Sequence, residues 1–317
     1  MLAEIGKDIS KARELLQRGL AVAIPTETVY GLAANALDPN AVLQIFEIKN
    51  RPQFDPLIVH GASRERLSNY VTAFPDWAVK LADALWPGPL TLVLPKAKSI
   101  PDLVTSGMDT VAIRVPNHPM TLDLLSQLDF PLAAPSANPF GYVSPTSAKH
   151  VMMQLGEKIP YILDGGECAV GVESTIVGEV EGRVIVLRLG GVSVEEVEAL
   201  IGKVEVLTES LPNAVIPGSL TSHYAPRTPL VVGPIEFDKY KRSLIGALRF
   251  SVESEKLHPS QQVVLSRAGD LREAAKNLFA AMRQLDRQGA KVIFAEEFPE
   301  EGLGRAINDR LRRAATQ

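Results

Sequence analysis

The sequence predicts an α/β protein in which a larger sheet of mixed direction is followed by a smaller α/β domain. Three observations predict this class. Apolar strand-like runs alternate with amphipathic helical segments, a proline-bearing stretch without a sustained period follows them, and a shorter α/β pattern then resumes. The length of 317 residues suits about two domains of roughly 150 residues each. We therefore expect a first domain at residues 1–208, a linker at 209–229 and a second domain at 230–317.

The elements of the first domain follow from its apolar periodicity. A charged amphipathic helix is expected at residues 1–17, and apolar stripes mark further helices near 42–46, 77–85, 120–128 and 147–155. The proline-glycine-proline segment at 87–89 ends the helix before it. The strands expected in this domain are 20–24, 57–60, 90–94, 111–115, 132–134, 161–163, 175–180, 184–189 and 204–207.

The second domain repeats the pattern on a smaller scale. Strands are expected at 230–232, 245–248, 263–265 and 292–295. One helix carries Leu271, Ala275, Leu278 and Met282 on a single stripe, and a final helix is expected at 305–315.

Composition and charge exclude several classes of protein. The apolar runs are far shorter than the ~20 residues that cross a bilayer, and the single cysteine, Cys168, cannot form an intrachain disulfide, so we expect a cytoplasmic protein without a membrane partner. The five histidines lack metal-ligand spacing, and no metal site built from protein side chains is predicted. A net charge of −4 argues against non-specific nucleic-acid binding by the whole surface but leaves a local basic patch open. The chain also lacks the GxxxxGK[ST] loop of P-loop ATPases.

The stretch PTETVYGL at residues 25–32 has an unusual composition. Two threonine hydroxyls, Glu27 and Tyr30 lie within an otherwise apolar segment, between a proline and a glycine that restrict the backbone around them. The stretch follows a strand-like run and precedes residues able to begin a helix. We interpret it as one wall of a small-molecule site, with a purely structural segment as the alternative.

Four cations are candidates to face a ligand. Lys49 and Arg51 share one irregular loop ahead of a proline, which suits a phosphate or carboxylate ligand, although a solvated basic turn has the same appearance. Arg114 lies within the strand-like run TVAIRVP, where burial requires an anionic partner. Arg188 lies near the end of another strand.

Short polar side chains follow several apolar runs. His60 ends one strand, the run PLAAPSAN leads into Ser136 and Asn138 with Ser144 beyond, and Ser174 opens another strand. Ligands of open α/β sheets bind at strand ends, whereas a capped turn or a structural histidine is the alternative. The inventory contains no nucleophile with a neighbouring general base, so it suits binding a polyanion and aligning it for attack by a second substrate.

Six motifs in order give the sequence a specific resemblance. PTETVYGL, KNRPxxxPLIVH, WPGPLTLVL, TVAIRVP, APSAN followed by SPT, and GVESTIV resemble the YrdC-like threonylcarbamoyl-AMP synthase family over almost the whole chain. The HYAP turn after a proline-bearing linker, with a C-terminal region ending in GLGRAINDRL, is similar to the long two-domain form. The fold implied is an N-terminal YrdC-like twisted mixed sheet with helices and a smaller C-terminal Rossmann-like α/β domain.

The resemblance implies an activity. Members of the family condense L-threonine, bicarbonate and ATP, used with Mg²⁺, to threonylcarbamoyl-AMP and pyrophosphate. A tRNA threonylcarbamoyl transferase then uses the product to modify the adenosine beside the anticodon. The chain would thus be an L-threonylcarbamoyladenylate synthase, a nucleotidyltransferase in which catalysis is mostly alignment and charge neutralisation.

The resemblance also implies roles for individual residues. The residues expected around L-threonine are Thr28, His60, Arg114, Ala134 and Ser174. The residues expected to contact ATP are Arg51, Asp55, Thr110, Ser136, Ser144, Arg188 and Tyr224. The residues expected to act in catalysis are Lys49, Arg51, Ser136 and Asn138. Tyr224 lies in the predicted linker, which is therefore a candidate lid over the nucleotide.

The chain departs from the family pattern in two places, and two other functions stay open. Ser219–Ser222 replaces a basic and aromatic segment ahead of HYAP, and leucine-glycine-glycine follows Arg188 where proline-glycine is commoner. A carbamoyl-adenylate-forming enzyme of related fold is one alternative, although it usually carries zinc-finger and acylphosphatase-like segments. A non-catalytic RNA-binding module, with weak tRNA contact through arginines of the last helix, is the other; a solvated helix face explains those arginines equally.

Overall fold

The computed structural model describes residues 2–207 and 223–316, in which the strands form two sheets. The first sheet has the order β1-β8-β2-β3-β7-β4-β6-β5-β9-β10-β11 and contains both parallel and antiparallel neighbours, as predicted. Its strands are β1 (Glu4–Gly6), β2 (Val22–Ile24), β3 (Gly31–Asn35), β4 (Ile58–His60), β5 (Leu90–Pro95), β6 (Thr110–Arg114), β7 (Leu132–Ala133), β8 (Tyr161–Leu163), β9 (Thr175–Val180), β10 (Arg183–Arg188) and β11 (Glu205–Val206).

Helices accompany this sheet, and their caps agree with the local sequence. Helix α2 begins behind the N-cap Asp38 with a proline in its first turn, and it ends at Asn50, whose φ of 52° is left-handed. This turn directs the basic loop away from the helix axis. The helices of the first domain are α1 (Ile9–Gln17), α2 (Pro39–Lys49), α3 (Arg64–Leu67), α4 (Asp76–Leu85), α5 (Asp102–Thr105), α6 (Pro119–Ser126), α7 (Ala148–Leu155) and α8 (Val194–Ile201).

The second sheet is parallel and smaller. Its strands β12 (Leu230–Val232), β13 (Ile245–Arg249), β14 (Gln262–Val264) and β15 (Val292–Ala295) have the order β12-β15-β13-β14. Helices α9 (Leu271–Asp286) and α10 (Gly304–Ala315) pack against each other beside it. The parallel sheet with helices agrees with the Rossmann-like expectation.

The two α/β parts share a buried apolar cluster. Val29, Val143 and Val172 of the first part lie in the same cluster as Phe279 of α9 and Leu311 of α10. The second part therefore packs against the first through this cluster.

Two sequence predictions in the first domain are wrong. Residues 1–17 do not form one helix, because Glu4–Gly6 pairs with β8 as a strand and α1 begins only after the N-cap Asp8. The segment after PTETVYGL does not begin a helix, because Gly31–Asn35 is β3 and pairs with β2 and β7. In both cases pairing with distant strands overrides local preference. The predicted strands at 161–163, 175–180, 230–232 and 292–295 are confirmed with the same boundaries.

Residues 209–222 of the predicted linker, including the divergent Ser219–Ser222 segment, lie outside the described residues. Within the described part of the chain, every helix is too short or too polar to span a membrane.

Candidate active site

A solvent-open cavity lies where the first sheet meets the HYAP turn at residues 223–226. The structure brings to this cavity most of the residues that the sequence singled out, including every one expected around L-threonine. The predicted site residues that line it are Thr28, Arg51, His60, Arg114, Ala134, Ser136, Ser174, Arg188 and Tyr224. The predicted residues that do not line it are Lys49, Asp55, Thr110, Asn138 and Ser144.

Arg114 ends β6 and is held from several sides. Its Nη2 lies 2.8 Å from Glu27 Oε1, Nη1 donates to Thr28 Oγ1 at 3.0 Å, and Nε donates to the Gly88 carbonyl at 3.2 Å. Glu27 is therefore the anionic partner that burial of this arginine required. The Nη2–Glu27 contact is close but not aligned as a hydrogen bond, and neither atom has another hydrogen-bond partner. Nε and Nη1 of Arg114 are therefore hydrogen-bonded within the protein, whereas Nη2 keeps donor capacity for a ligand.

His60 ends β4 directly beside Arg114, because the two residues are register partners in the parallel pair of β4 and β6. Burial, followed by the positive charge of Arg114, lowers the pKa of His60 to about 3. Nδ1 lies 3.1 Å from the Ile58 carbonyl, which can only accept, so Nδ1 carries the proton and Nε2 is an acceptor. His60 is thus a neutral acceptor at physiological pH.

Arg51 follows the left-handed end of α2 and lies in the cavity wall. Its Nη2 lies 2.8 Å from Asp55 Oδ1 and donates to the Pro56 carbonyl at 2.8 Å, and Nε donates to the Asp55 carbonyl. Asp55 therefore fixes the orientation of Arg51 across one short loop. The structure gives Asp55 this supporting position behind the arginine.

Lys49 lies behind the cavity wall. It is 1% exposed, and its Nζ donates to the carbonyl oxygens of Ser136 and Asn138 at 2.6 and 2.5 Å. Burial, and then the charge of Arg51, lowers the pKa of Lys49 well below its usual range. Asn138 in turn donates from Nδ2 to the carbonyls of Pro139 and Tyr142. Both residues hold the shape of the loop that carries Ser136.

Ser174 and Arg188 form another part of the cavity wall. Arg188 donates from Nη2 to the Ser174 carbonyl at 2.8 Å and to its Oγ at 3.0 Å, and Thr91 Oγ1 lies 2.7 Å from the same hydroxyl. Burial lowers the pKa of Arg188 to about 10, so the side chain stays cationic at neutral pH.

Thr110 begins β6 at the end away from Arg114, roughly 13 Å along the strand.

Three residues at or behind this cavity were missed by the sequence analysis. Glu173 and His223 line it, and Arg310 of α10 is fully buried behind it with Nε 2.8 Å from Glu173 Oε2. A signal for Arg310 was present, because it lies on the same helical stripe as Ile307 and Ala314 and therefore faces the core. Glu173 directly precedes the predicted Ser174 and is buried, where a carboxylate needs a partner.

The HYAP turn closes one side of the cavity with aromatic rings. Tyr224 is 1% exposed, adopts a left-handed φ of 67°, and stacks on Phe279 of α9 with ring centroids 5.6 Å apart. Burial raises the pKa of Tyr224 to about 12. Burial, and then the charges of Arg51 and Lys49, lowers the pKa of His223 well below its usual range. Both rings are therefore uncharged next to a cluster of cations.

The arginines of α10 do not form a free basic face. Arg310 is fully buried on Glu173, Arg312 contacts Glu300 at 2.6 Å, and Arg313 contacts Asp309 at 2.9 Å. Arg305 lies 3.6 Å from Glu195. Each charge that suggested RNA binding is matched by a carboxylate, which weakens that alternative.

The cavity is lined by Arg51, Arg114 and Arg188, and by uncharged donors and acceptors. This site defines an α/β protein that binds small anionic molecules. Comparisons with known proteins give the particular family. Residues 14–190 match the family model Sua5_yciO_yrdC, described as telomere recombination, and residues 192–316 match the model of the threonylcarbamoyl-AMP synthase C-terminal domain. The chain belongs to this family, in its two-domain form.

Relatives of similar length support the assignment. The chain is 44% identical to a threonylcarbamoyl-AMP synthase of Pyrococcus abyssi, over 96% of this chain and 93% of the relative. It is 39% identical to a threonylcarbamoyl-AMP synthase of Bacillus subtilis, over 97% and 92% of the two chains. The crystal structure of P. abyssi Sua5 complexed with L-threonine matches with a TM-score of 0.88 and 41% identity, covering 99% of this chain and 97% of that one.

Proposed function

We propose that this protein is an L-threonylcarbamoyladenylate synthase that converts L-threonine, bicarbonate and ATP to threonylcarbamoyl-AMP and pyrophosphate. The observation that carries the proposal is that one cavity is lined both by Thr28, His60, Arg114 and Ser174, expected around L-threonine, and by Arg51 and Arg188, expected to contact ATP. Relatives that cover nearly the whole chain are named for this activity, and one of them is known in complex with L-threonine.

The reaction needs alignment more than a protein nucleophile. The amine of threonine combines with bicarbonate to a carbamate, with loss of water. A carbamate oxygen then attacks the α-phosphorus of ATP, the new oxygen–phosphorus bond forms, and the bond to the β-phosphate breaks to release pyrophosphate. The protein contributes fixed positive charge and orientation while negative charge shifts onto the leaving group.

The threonine half of the site is proposed at Thr28, His60, Arg114, Ala134 and Ser174. Arg114 would bind the substrate carboxylate with the amino group that is close to Glu27 but not hydrogen-bonded to it. His60 is a neutral acceptor and is suited to a substrate hydroxyl or ammonium. A site that hydrogen-bonds a substrate hydroxyl discriminates strongly against the analogue lacking it.

The nucleotide half is proposed at Arg51, Asp55, Thr110, Ser136, Ser144, Arg188 and Tyr224. Arg51 and Arg188 are the cations in this part of the cavity wall, and both stay oriented through hydrogen bonds to backbone carbonyls. Lys49 and Asn138 would act in catalysis by holding the Ser136 loop in place. We also propose the division into residues 1–208, a linker and lid at 209–229, and residues 230–317.

A magnesium ion is expected with ATP. In the part of the chain that the structure describes, no group of three or more His, Cys, Asp or Glu side chains could hold a metal ion. Among the described residues that line the cavity, Glu173 is the one carboxylate, and it is bound to Ser144 and Arg310. These residues do not make a magnesium site of their own, so the ion would arrive bound to the phosphates of ATP.

The product of this reaction is a mixed anhydride of a carbamic acid and a phosphate, which water can hydrolyse. We therefore propose that a tRNA threonylcarbamoyl transferase consumes it nearby in the cytoplasm, and weak contact of this chain with tRNA would assist that transfer.

Pyrophosphate release with purified protein tests the proposal. We expect release only when ATP, L-threonine and bicarbonate are all present, and much less with 2-aminobutyrate, which lacks the hydroxyl. A further assay replaces bicarbonate with carbamoyl phosphate. Pyrophosphate release in that assay would identify a carbamoyl-adenylate-forming enzyme. Release that continues unchanged without threonine would exclude the proposed function.

A further inference from the structure

We propose that Arg310, in the last helix of the chain, is a positioning residue for the nucleotide half of the active site. This inference rests on the proposed function and gives the C-terminal helix a defined part in it. Arg310 does not line the cavity itself. It acts through three groups that do line it or adjoin it: Glu173, the segment that follows Arg188, and the ring of Tyr224.

One guanidinium group joins these three elements. Arg310 Nε donates to Glu173 Oε2 at 2.8 Å, and Nη2 donates to the Leu189 carbonyl at 2.8 Å. Its guanidinium carbon lies 4.9 Å from the centre of the Tyr224 ring, within the range of a cation–π contact. The remaining amino group binds the neighbouring Asp309. Arg310 is 0% exposed, so this arrangement has no solvent-facing alternative.

The contact with Glu173 extends to a predicted ATP contact. Ser144 Oγ donates to Glu173 Oε1 at 2.6 Å, while Arg310 binds the other carboxylate oxygen. The carboxylate accepts from both partners, so its plane is fixed by a serine of the first domain and an arginine of the second. Because the single hydroxyl hydrogen of Ser144 points to Glu173, this serine offers a nucleotide only an acceptor, which suits a ribose hydroxyl or the adenine amino group.

The contact with Leu189 extends to Arg188. Leu189 follows Arg188 directly, and its carbonyl is held by the same guanidinium group that holds Glu173. Arg310 thus ties together the backbone behind one proposed ATP contact, the carboxylate behind another and the ring of a third. The contacts of Arg310 do not reach Thr28, His60 or Arg114, and Ser174 is the one residue of the threonine half that adjoins Glu173, so the threonine half should respond less than the nucleotide half.

Lysine cannot replace this arrangement. The planar fork of arginine donates in fixed directions to two acceptors and stacks on a ring, whereas an ammonium is a point charge with a shorter reach. Removing the positive charge altogether leaves Glu173 buried beside a single neutral donor, which is strongly unfavourable. Comparing Arg310→Lys with Arg310→Met therefore separates the contribution of the guanidinium geometry from that of the positive charge.

A second buried arginine supports the view that the C-terminal helices hold this wall. Arg283 of α9 is 4% exposed, donates from Nε to the Ser144 carbonyl at 3.2 Å, and also binds the Val143 carbonyl. The backbone of Ser144 is thus held by α9, and its side chain is held through Glu173 by α10.

The test is a kinetic comparison of Arg310→Lys, Arg310→Met, Glu173→Gln and the double variant Arg310→Met/Glu173→Gln. The control is Arg312→Ala on the same helix, whose partner Glu300 is exposed, as Arg312 itself is. We expect KM for ATP to rise about tenfold or more in Arg310→Lys, while KM for L-threonine changes less than about twofold. The double variant should be no worse for ATP than Arg310→Met alone, because Glu173→Gln removes the buried charge that Arg310→Met leaves unpaired. The control should match the wild type.

A purely structural role predicts a different pattern. Loss of folded protein lowers the apparent kcat and the melting temperature but leaves both KM values unchanged, and that result in Arg310→Lys would overturn the inference. If Arg310→Met does not fold, Arg310→Lys and Glu173→Gln still decide the question. Calorimetric titration with ATP alone tests the positioning role of Arg310 separately from the proposed synthase activity. Weaker ATP binding by Arg310→Lys than by the wild type supports the positioning role even if no threonine-dependent turnover is found. Equal ATP affinity of the two proteins contradicts it.

Discussion

At the scale of single residues, the hydrogen positions around Thr26 determine what Thr28 offers a ligand. Thr26 Oγ1 donates its one hydrogen to the Val29 carbonyl at 2.6 Å, so the hydrogen in its 2.9 Å contact with Thr28 Oγ1 must come from Thr28. Arg114 Nη1 also donates to Thr28 Oγ1. Thr28 therefore presents a lone pair to the cavity and can accept from the ammonium or hydroxyl group of L-threonine.

Thr26→Val should accordingly weaken binding of L-threonine. The variant removes the acceptor of the Thr28 hydrogen and leaves the backbone amides of Thr28 and Val29 without the oxygen they share. We expect KM for L-threonine to rise about tenfold with KM for ATP nearly unchanged, and stability to fall by about 1–3 kcal/mol. Initial rates of pyrophosphate release measure both constants. Thr26→Ser keeps the oxygen and is the matched control; identical KM values in the two variants would contradict the proton arrangement.

At the scale of elements, the end of α2 places the basic loop. The left-handed Asn50 stops the helix immediately after Lys49, so successive residues point in different directions. Lys49 turns inward onto the carbonyls of the Ser136 loop, whereas Arg51 reaches the cavity. Lys49 and Arg51 look equivalent in the sequence, but Lys49 holds the Ser136 loop and Arg51 lines the cavity.

Helix α9 approaches the first domain closely at Gly171. This residue has a φ of 78°, and a Cβ atom there would lie 2.4 Å from the Cα and carbonyl oxygen of Lys276 in α9. Glycine is therefore required both by the backbone conformation and by the backbone of the facing helix.

Gly171→Ala should separate α9 from the wall that carries Glu173 and Ser174. We expect a loss of about 2–4 kcal/mol, from roughly 1 kcal/mol of left-handed strain and a packing clash of similar or larger size. Thermal unfolding followed by circular dichroism measures it. Gly182→Ala is the control, because its φ is 75° and no atom lies within 4 Å of the added Cβ. Equal losses in the two variants would show that the close approach to Lys276 contributes nothing.

At the scale of the whole molecule, burial of neutral histidines makes folding sensitive to acid. The pKa of His60 is lowered to about 3 by burial and then by the charge of Arg114, and burial lowers the pKa of His150 to about 4. The unfolded chain binds these protons near the ordinary value of about 6.5. Between these values the unfolded state carries more protons, so stability is fully present above about pH 6.5 and decreases as the pH falls.

The free energy of unfolding should thus be lower at pH 5 than at pH 7.5. His60 alone accounts for about 2 kcal/mol of the difference, calculated from a folded pKa of about 3 and an unfolded value of about 6.5. Urea unfolding at several pH values between 5.0 and 7.5 measures it in the wild type and in His60→Gln. The variant should lose this part of the pH dependence, and an unchanged slope would exclude His60 as its source.

Much of the fold was predictable because its elements carry strong local signals. The strands at 161–163 and 175–180 are short apolar runs bounded by turns, and the parallel second sheet follows from strands that alternate with helices. Where local signals were weak the prediction was wrong. Glu4–Gly6 and Gly31–Asn35 are strands because β8 and β7, far along the chain, pair with them.

Sequence alone determined the family motifs and most of the polar residues that line the cavity, because polar groups inside apolar runs need partners and so mark a site. Only the tertiary structure decided which groups pair. Glu27 meets Arg114, Lys49 turns away from the cavity, and Arg310 is buried against Glu173. The reason is physical: local periodicity gives the face on which a residue lies, whereas the partner of a buried charge depends on which distant segment packs against that face.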